Sequence, residues 1–270
     1  NGIGVQFGSY DWLVAMKYQF AIIGIDLGSK GVLGLSIVNL SSPDDLVRTV
    51  SEPQGTGEKF STNDLSASLT YSKMLTDRFS LGGSFKYIQQ NIWHSTAHTV
   101  AIDIGTLFQT PFYGTRLGAS ISNYGGKMKM DGRDQKISID PDLDNQGNVE
   151  FVNAIYETEH FPLPLFFRVG VSGELIKKQN LKLSYGIDAL HPNDNTEHLN
   201  LGLELNYREI LFLRGGIPSF YKMDSVEGPT FGAGLNYHMT RTATLLKIDY
   251  SFSSYGPLGD VERLSIGFNF

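Results

Sequence analysis

The C-terminal stretch Glu262-Arg263-Leu264-Ser265-Ile266-Gly267-Phe268-Asn269-Phe270 decides the fold. Large apolar residues occupy every second position, and polar residues or glycine fill the positions between them. Because successive side chains of a β-strand point to opposite faces, the stretch predicts a strand with one fully apolar face. At the edge of a soluble sheet such a strand would promote aggregation, and it is normally protected by charge or proline. A closed barrel in a lipid bilayer has no edge, and acyl chains are the natural solvent of its apolar face.

The same stretch also predicts how the chain is assembled. Its alternating apolar residues resemble the signal by which bacterial assembly machinery recognises outer-membrane barrels. We therefore interpret Leu264, Ile266, Phe268 and Phe270 as a barrel-assembly signal. The partners expected on this ground are the barrel assembly machinery and the lipid of the outer membrane.

The composition excludes several classes of protein. The chain has 270 residues, of which 41% are hydrophobic, and no apolar run approaches the roughly 18 residues that a spanning helix needs. Thirty glycines and 30 Tyr and Phe residues (13 and 17) suit many short strands with aromatic girdles at the membrane interfaces. A net charge of −6 argues against a nucleic-acid partner, which requires a basic surface. The absence of cysteine excludes disulfides, thiolate metal sites and cysteine nucleophiles.

Alternation of apolar and polar residues recurs along the chain and predicts an all-β fold. In 199–207, for example, four leucines and a tyrosine alternate with residues that are polar or glycine, as expected of a strand against acyl chains. The predicted strands are 12–22, 33–40, 65–72, 79–87, 100–108, 116–123, 165–172, 181–189, 199–207, 211–217, 231–239, 244–252 and 262–270. Residues 3–7 supply one more, and because single-chain bacterial barrels use an even number of strands we expect about 14. The chain is predicted to be a single transmembrane antiparallel β-barrel domain over 1–270.

The lengths of the connections favour a membrane barrel over a soluble sandwich. Short connections are expected near 28–31, 75–77, 111–113, 177–180, 208–209 and 241–242. Mostly longer ones are expected near 41–63, 92–96, 124–162, 191–196, 218–229 and 254–261. The two sets alternate along the chain, which is the pattern of short periplasmic turns and long extracellular loops in outer-membrane barrels. The long loops 41–63 and 124–162 are expected to cover the outer mouth or to receive a partner protein.

Several turn and strand-end motifs carry a family resemblance. They are His191-Pro192-Asn193-Asp194-Asn195, Leu213-Arg214-Gly215-Gly216, Phe231-Gly232-Ala233-Gly234-Leu235, Ile248-Asp249-Tyr250 with Tyr255-Gly256-Pro257-Leu258-Gly259, Gly118-Ala119-Ser120-Ile121-Ser122-Asn123 and Phe161-Pro162-Leu163-Pro164. With these motifs the chain resembles the PorV/PorQ family of outer-membrane proteins. The resemblance implies a barrel akin to the long-chain fatty-acid transporters. It also implies service in type IX secretion, where PorV-type members bind the C-terminal signal domain of exported cargo.

The start of the chain suggests that it is a piece of a longer precursor. It begins at Asn1 without Met or a signal peptide, although an outer-membrane protein must be exported. Members of the resembled family carry a segment ahead of the first strand. We therefore expect a leader and an N-terminal segment before Asn1.

Three motifs that could carry chemistry do not meet the requirements of a site. In Asp140-Pro141-Asp142-Leu143-Asp144-Asn145-Gln146-Gly147 the carboxylates are spaced for Ca²⁺, but the Gly and Glu of an EF-hand loop are replaced by Asn145 and Phe151. His94 and Ser95, with His98 nearby, are adjacent on a strand and would point apart, and no third residue orients the base. Gly55-Thr56-Gly57-Glu58-Lys59 lacks the spacing of a phosphate loop. No catalytic residue, cofactor or metal is predicted.

Charged residues on the polar phase of the strands are expected to face the lumen. The candidates are Lys86, Asp103, Arg168, Asp188, Glu204 and Asp249, together with Lys17 and Lys182. They could line a selective pore, or they could pair with one another across a filled interior. The mixture of signs favours pairing.

Two functions follow for a barrel that is not an enzyme. The first is a protein-interaction component of a secretion or surface-attachment system, which binds a translocon or the signal domain of a secreted cargo as PorV-type proteins do. The alternative is a channel or transporter for small hydrophobic solutes such as fatty acids. An enzyme of the outer membrane is a third and weaker hypothesis.

Overall fold

A computed structural model describes residues 2–112, 114–141, 151–222, 225–239 and 244–270. The described residues form a closed antiparallel barrel of fourteen strands, which confirms the predicted fold and strand number. Each strand pairs with its neighbours in sequence, and residues 4–8 of the first strand pair with 265–269 of the last. The strands are β1 (Ile3–Asp11), β2 (Lys17–Asp26), β3 (Val32–Ser41), β4 (Thr62–Thr76), β5 (Phe79–Ile92), β6 (Ser95–Gln109), β7 (Arg116–Gly125), β8 (Phe166–Lys178), β9 (Leu181–Pro192), β10 (His198–Tyr207), β11 (Leu211–Phe220), β12 (Thr230–Met239), β13 (Thr244–Ser254) and β14 (Asp260–Asn269).

The outer surface of the barrel is apolar. Large side chains at alternating positions are about half exposed, among them Ile104 at 55%, Leu203 at 53% and Phe231 at 59%. In water so continuous an apolar surface would cause aggregation, whereas the acyl chains of a bilayer solvate it. The barrel is therefore a membrane-spanning one. Among the described residues, no helix is long and apolar enough to cross a membrane.

Strand β2 departs from the prediction at its start. A 3-10 turn at Leu13–Ala15, with Val14 and Ala15 both at φ 58°, separates Trp12 from the strand, which begins at Lys17. Lys17 pairs with Asp11 and Ser41 on the outward phase, so the expectation that Lys17 faces the lumen is wrong. Both faces of β2 carry apolar residues, and for this reason periodicity alone could not identify its inner face.

The two rims differ in the lengths of their connections, in the order that the sequence predicts. One rim carries short turns at 27–31, 77–78, 179–180 and 208–210. The other carries the extended connections at 42–61 and 126–165, although its connections at 93–94, 193–197 and 255–259, which the sequence predicts to be longer, are also short. The turn predicted near 241–242, residue 113 of the turn near 111–113 and residues 142–147 of the rejected calcium motif lie outside the described residues. We assign the long connections to the extracellular rim.

The connections contain short ladders and 3-10 turns. Asp45–Leu46 pairs with Lys59–Phe60, Met128–Lys129 with His160–Phe161, and Lys136–Ile139 with Val152–Ile155. Asp131–Gly132 pairs with Ser95 and Thr96 at the start of β6. The further 3-10 turns are Gly28–Lys30, Arg133–Gln135 and Gly256–Leu258. The pair formed by Met128–Lys129 and His160–Phe161 matters most for function, because it lies inside the barrel.

Candidate functional site

Part of the lumen is filled by the connection between β7 and β8. We call residues 126–130 and 160–165 of this connection the inner hairpin. Its Met128 and Leu163 are 1% and 8% exposed, and they form a buried cluster with Ala97 and Ala101. Ala101 pairs with inward-facing Lys86, and its neighbour Val100 is exposed on the outside, so Ala101 faces inward. Ala97 lies four residues away on the same strand and therefore shares this face. The hairpin therefore packs against the inner surface of β5 and β6 and closes that side of the lumen.

Asn123 anchors one end of the inner hairpin. It lies at a β-bulge, with a left-handed φ of 64°. Lys86 Nζ lies 2.7 Å from Asp103 Oδ2 and also donates to Asn123 Oδ1 at 2.7 Å, while the Asn123 N–H donates to Asp103 Oδ1 at 2.8 Å. The Asn123 amide then donates to the Pro164 carbonyl at 2.8 Å. One asparagine thus links the ion pair on the wall to the hairpin.

Asn193 anchors the other end of the inner hairpin. Its backbone N–H donates to the Leu165 carbonyl at 3.0 Å, and its Oδ1 accepts from the Leu165 N–H at 2.9 Å. Its side-chain amide also donates to the Leu163 carbonyl at 3.4 Å. In the sequence this residue was part of a resemblance motif without a role. The structure shows that the motif fixes the chain where it enters β8.

We expect Asn123→Ala to loosen the inner hairpin and Asn123→Gly to loosen it less. Alanine loses the amide bonds and is strained at positive φ, whereas glycine loses only the bonds. The difference between the two variants should be about 1 kcal/mol, the cost of a left-handed conformation for alanine. Hydrogen exchange of residues 126–130 and 160–165 measures the opening. Equal exchange in wild type and both variants would contradict the anchoring role.

The open side of the lumen holds a cavity of about 950 Å³, which we call the upper cavity. Tyr18, Phe20 and Ile22 of β2, with Val38 of β3, form an apolar stretch of its wall. Charged residues line the wall across from it. They are Asp188, Glu204, Arg214 and Asp249. The cavity is thus apolar on one side and charged on the other.

Arg263, Tyr10 and Tyr18 line the outer end of the upper cavity. The ladder between β1 and β14 stops at Gly8 and Ser265, and above that level the Arg263 guanidinium lies 5.4 Å from the ring centre of Tyr10. Arg263 also donates to Ser253 Oγ at 2.8 Å and to the Tyr255 hydroxyl at 3.2 Å. Side-chain contacts therefore join the first and last strands where backbone hydrogen bonds do not.

Beneath the upper cavity lies a lower cavity of about 410 Å³ with a polar lining. Gln6, Asn236, Lys247 and Asn269 contribute to its wall. The two cavities share Ile22, Arg214 and Asp249 as lining residues. These shared residues lie at the boundary between the two cavities.

An ion triad occupies this boundary. Arg214 Nε lies 2.7 Å from Glu204 Oε2, and Arg214 Nη1 lies 2.6 Å from Asp249 Oδ1. Glu204 is on the neighbouring strand β10, but Asp249 is on β13, two strands away from β11. Arg214 reaches it across Gly232 and Gly234, two neighbouring inward positions of β12.

Of the eight charged residues predicted to face the lumen, all but Lys17 lie on inward-facing positions. Lys86 and Asp103 form an ion pair, and Glu204 and Asp249 both contact Arg214. Arg168 and Asp188 line a further cavity of about 510 Å³ on the wall between β4 and β9. The sequence prediction missed Arg214, although this residue lies between Leu213 and Gly215 on the polar phase of β11. The same alternation would have found it.

His94 and Ser95 lie on the extracellular rim and do not form a catalytic pair. His94 Nδ1 lies 2.7 Å from Asp134 Oδ2, whereas Ser95 Oγ accepts a hydrogen bond from Gln135 at 3.2 Å. Desolvation raises the pKa of Asp134, but the bonds from His94 and Arg133 outweigh it and hold that pKa below its ordinary value. Within the described residues there is no group of three or more His, Asp or Glu side chains placed to hold a metal ion.

No protein-family model matches the sequence, and no curated protein matches it. Several solved structures, however, match the fold of this chain. The Ralstonia pickettii toluene transporter TbuX superposes with a TM-score of 0.57 at 10% identity, over 99% of this chain and 88% of that one. A Pseudomonas aeruginosa FadL homologue gives 0.52 at 11% identity, over 100% and 89%. The P. putida toluene transporter TodX gives 0.52 at 10% identity, over 99% and 87%.

The fold is that of an outer-membrane β-barrel. At these identities the similarity concerns the fold, and the apolar outer surface independently requires a bilayer. Together they assign the chain to the bacterial outer membrane. The sequence resemblance implied a barrel akin to the long-chain fatty-acid transporters, and the FadL-like fold agrees with that expectation. Membership of the PorV/PorQ family stays a prediction.

Proposed function

We propose that the barrel passes a small hydrophobic solute across the outer membrane. The observation that carries the proposal is the apolar wall of the upper cavity, formed by Tyr18, Phe20, Ile22 and Val38. The interior of a transmembrane barrel is ordinarily polar, since water or paired charges fill it. An apolar wall inside the lumen destabilises a water-filled pore, but it binds an apolar solute through the hydrophobic effect.

The dimensions of the cavity support this function. A volume of about 950 Å³ lies within the range of small-molecule sites, which are mostly apolar and contain a few polar groups. The similar solved structures include two toluene transporters and a monoaromatic hydrocarbon channel. Of the two functions predicted from the sequence, these observations favour the transporter. The role as a secretion component rests on the sequence resemblance alone.

The residues suggest a division of roles within the lumen. The inner hairpin closes the side of β5 and β6, so that the solute would pass along the side of β1 to β3. Arg263, Tyr10 and Tyr18 lie at the outer end of this path, where Tyr10 and Tyr18 stack at 4.9 Å. Phe20 and Ile22 follow along β2, and the polar lower cavity lies beyond them. The solute would leave water at the aromatic end and rest against the apolar wall.

We expect Ile22→Asn to reduce solute uptake by about tenfold, because an unpaired amide facing an apolar solute costs about 1 to 3 kcal/mol. The matched control is Ile22→Val, which keeps the wall apolar and should reduce uptake by no more than about threefold. Uptake of naphthalene by intact cells that display each variant at equal density measures the effect. Wild-type uptake by Ile22→Asn, or no difference between the wild type and cells without the barrel, would overturn the proposal.

A further inference from the structure

We propose that Glu204, Arg214 and Asp249 form a charge-selective constriction between the upper and lower cavities, and that the glycines of β12 keep it open. In this arrangement Gly232 and Gly234 form a shallow groove in the wall, and Arg214 lies in that groove instead of projecting into the lumen. The inference rests on the proposed function, since it concerns the path that the solute would follow. It identifies the residues that determine which ions can pass along the same path.

The close fit of Arg214 over β12 is the first argument. A Cβ added to Gly234 would lie 2.6 Å from Asp249 Oδ1 and 3.0 Å from Arg214 Nη1. Real Cβ atoms do not approach oxygen so closely, so any side chain at this position must displace the ion pair. Because Arg214 on β11 contacts Asp249 on β13, the only strand beneath the guanidinium is β12. A side chain at 234 would therefore shift the Asp249 carboxylate and the Arg214 guanidinium from the positions they hold in the triad.

The position of the triad is the second argument. Arg214 and Asp249 line both the upper and the lower cavity, and Ile22 of β2 is the third residue common to the two linings. The passage between the cavities therefore runs between an apolar side chain and the ion triad. An Arg214 side chain released from the wall could reach into this passage, since its stem is long and flexible.

The charge of the triad is the third argument. Two carboxylates and one guanidinium carry a net charge of −1, and rings or clusters of carboxylates favour cations in pores. While Arg214 bridges both carboxylates, it compensates one of their two negative charges. Loss of the guanidinium would leave two carboxylates facing the passage. Displacement of the guanidinium would instead narrow the passage.

Two variants separate these effects. Arg214→Gln should keep the passage open and raise its preference for cations by about threefold, the effect of one unit charge at roughly 5 to 10 Å in water. Gly234→Ala should lower the conductance, because the methyl group displaces the Asp249 carboxylate and, with it, the guanidinium toward the passage. The matched control is Gly186→Ala, an inward glycine of β9 with no atom within 4 Å of an added Cβ. It adds the same group to the same lumen without touching the triad, and should behave as wild type.

Planar-bilayer recording of the purified barrel in a KCl gradient measures both quantities, as reversal potential and as conductance. The expected result is a shift toward cations in Arg214→Gln and a smaller conductance in Gly234→Ala alone. An unchanged reversal potential in Arg214→Gln would overturn the proposal, as would equal conductance in Gly234→Ala and Gly186→Ala. A barrel without ion current in any variant would overturn it too, since the passage beside Arg214 would then be closed. Ion currents do not depend on the solute, so Ile22→Asn tests the transport function separately.

Discussion

Leu203→Arg is expected to destabilise the folded barrel by about 2 to 4 kcal/mol, the cost of a cation at the middle of the bilayer on the lipid face. Leu203 lies near the middle of β10 and is 53% exposed on the outer surface. Its neighbours across the ladders are Tyr185 and Gly215, and no carboxylate occupies these two positions. The arginine would therefore have to extend toward an interface or thin the bilayer locally.

Reversible urea unfolding of the barrel in phospholipid vesicles measures this loss. The control is Ser184→Arg, which places the same side chain on the inner surface of the adjacent strand, where Ser184 pairs with Glu204. Its cost should stay below about 1 kcal/mol, because lumen positions are hydrated and the Glu204 carboxylate on the neighbouring strand can pair with the new arginine. Equal losses in the two variants would contradict the assignment of Leu203 to the lipid-facing surface and of Ser184 to the lumen.

The sequence predicts the outer surface well because lipid imposes one rule on every strand. Outward positions within the bilayer are apolar, so alternation at Leu203 or Ile266 reports the face directly. The number of strands and the order of short and long connections follow from the same constraint. The six charged residues could be assigned to the inner phase for this reason, since their neighbours are apolar.

The inner surface is harder to predict because several rules compete there. Phe20 and Ile22 face the cavity although they are apolar, and Ile23 beside them faces lipid, so β2 has no polar phase. Met128 and Leu163 belong to a connection that sequence reasoning expected to cover the outer mouth or bind a partner. Their burial against Ala97 and Ala101 depends on contacts between distant segments, which periodicity does not encode. The glycines of β12 were visible as a motif, but their purpose depends on Arg214 and Asp249 on other strands.

Met128→Asp is expected to release the inner hairpin from the wall while the barrel stays folded. Met128 is 1% exposed, and a carboxylate buried there would lose its hydration without a partner among the alanines and Leu163 that surround it. The barrel should survive because Met128 belongs to the short ladder with Phe161 and contributes nothing to the fourteen-stranded ladder. The free energy that holds the hairpin should fall by about 3 to 5 kcal/mol, as for other buried unpaired charges.

Limited proteolysis of the connection between β7 and β8 and the single-channel conductance measure this release. Cleavage within 126–165 should become faster, and conductance should rise because the side of β5 and β6 opens. Met128→Leu is the matched control, since a substitution that conserves volume in an apolar cluster costs less than about 1.5 kcal/mol. If Met128→Asp resisted protease and conducted as wild type, the hairpin would not depend on this cluster. If cleavage increased without a rise in conductance, the hairpin would be a stabilising element of the wall and would not obstruct the lumen.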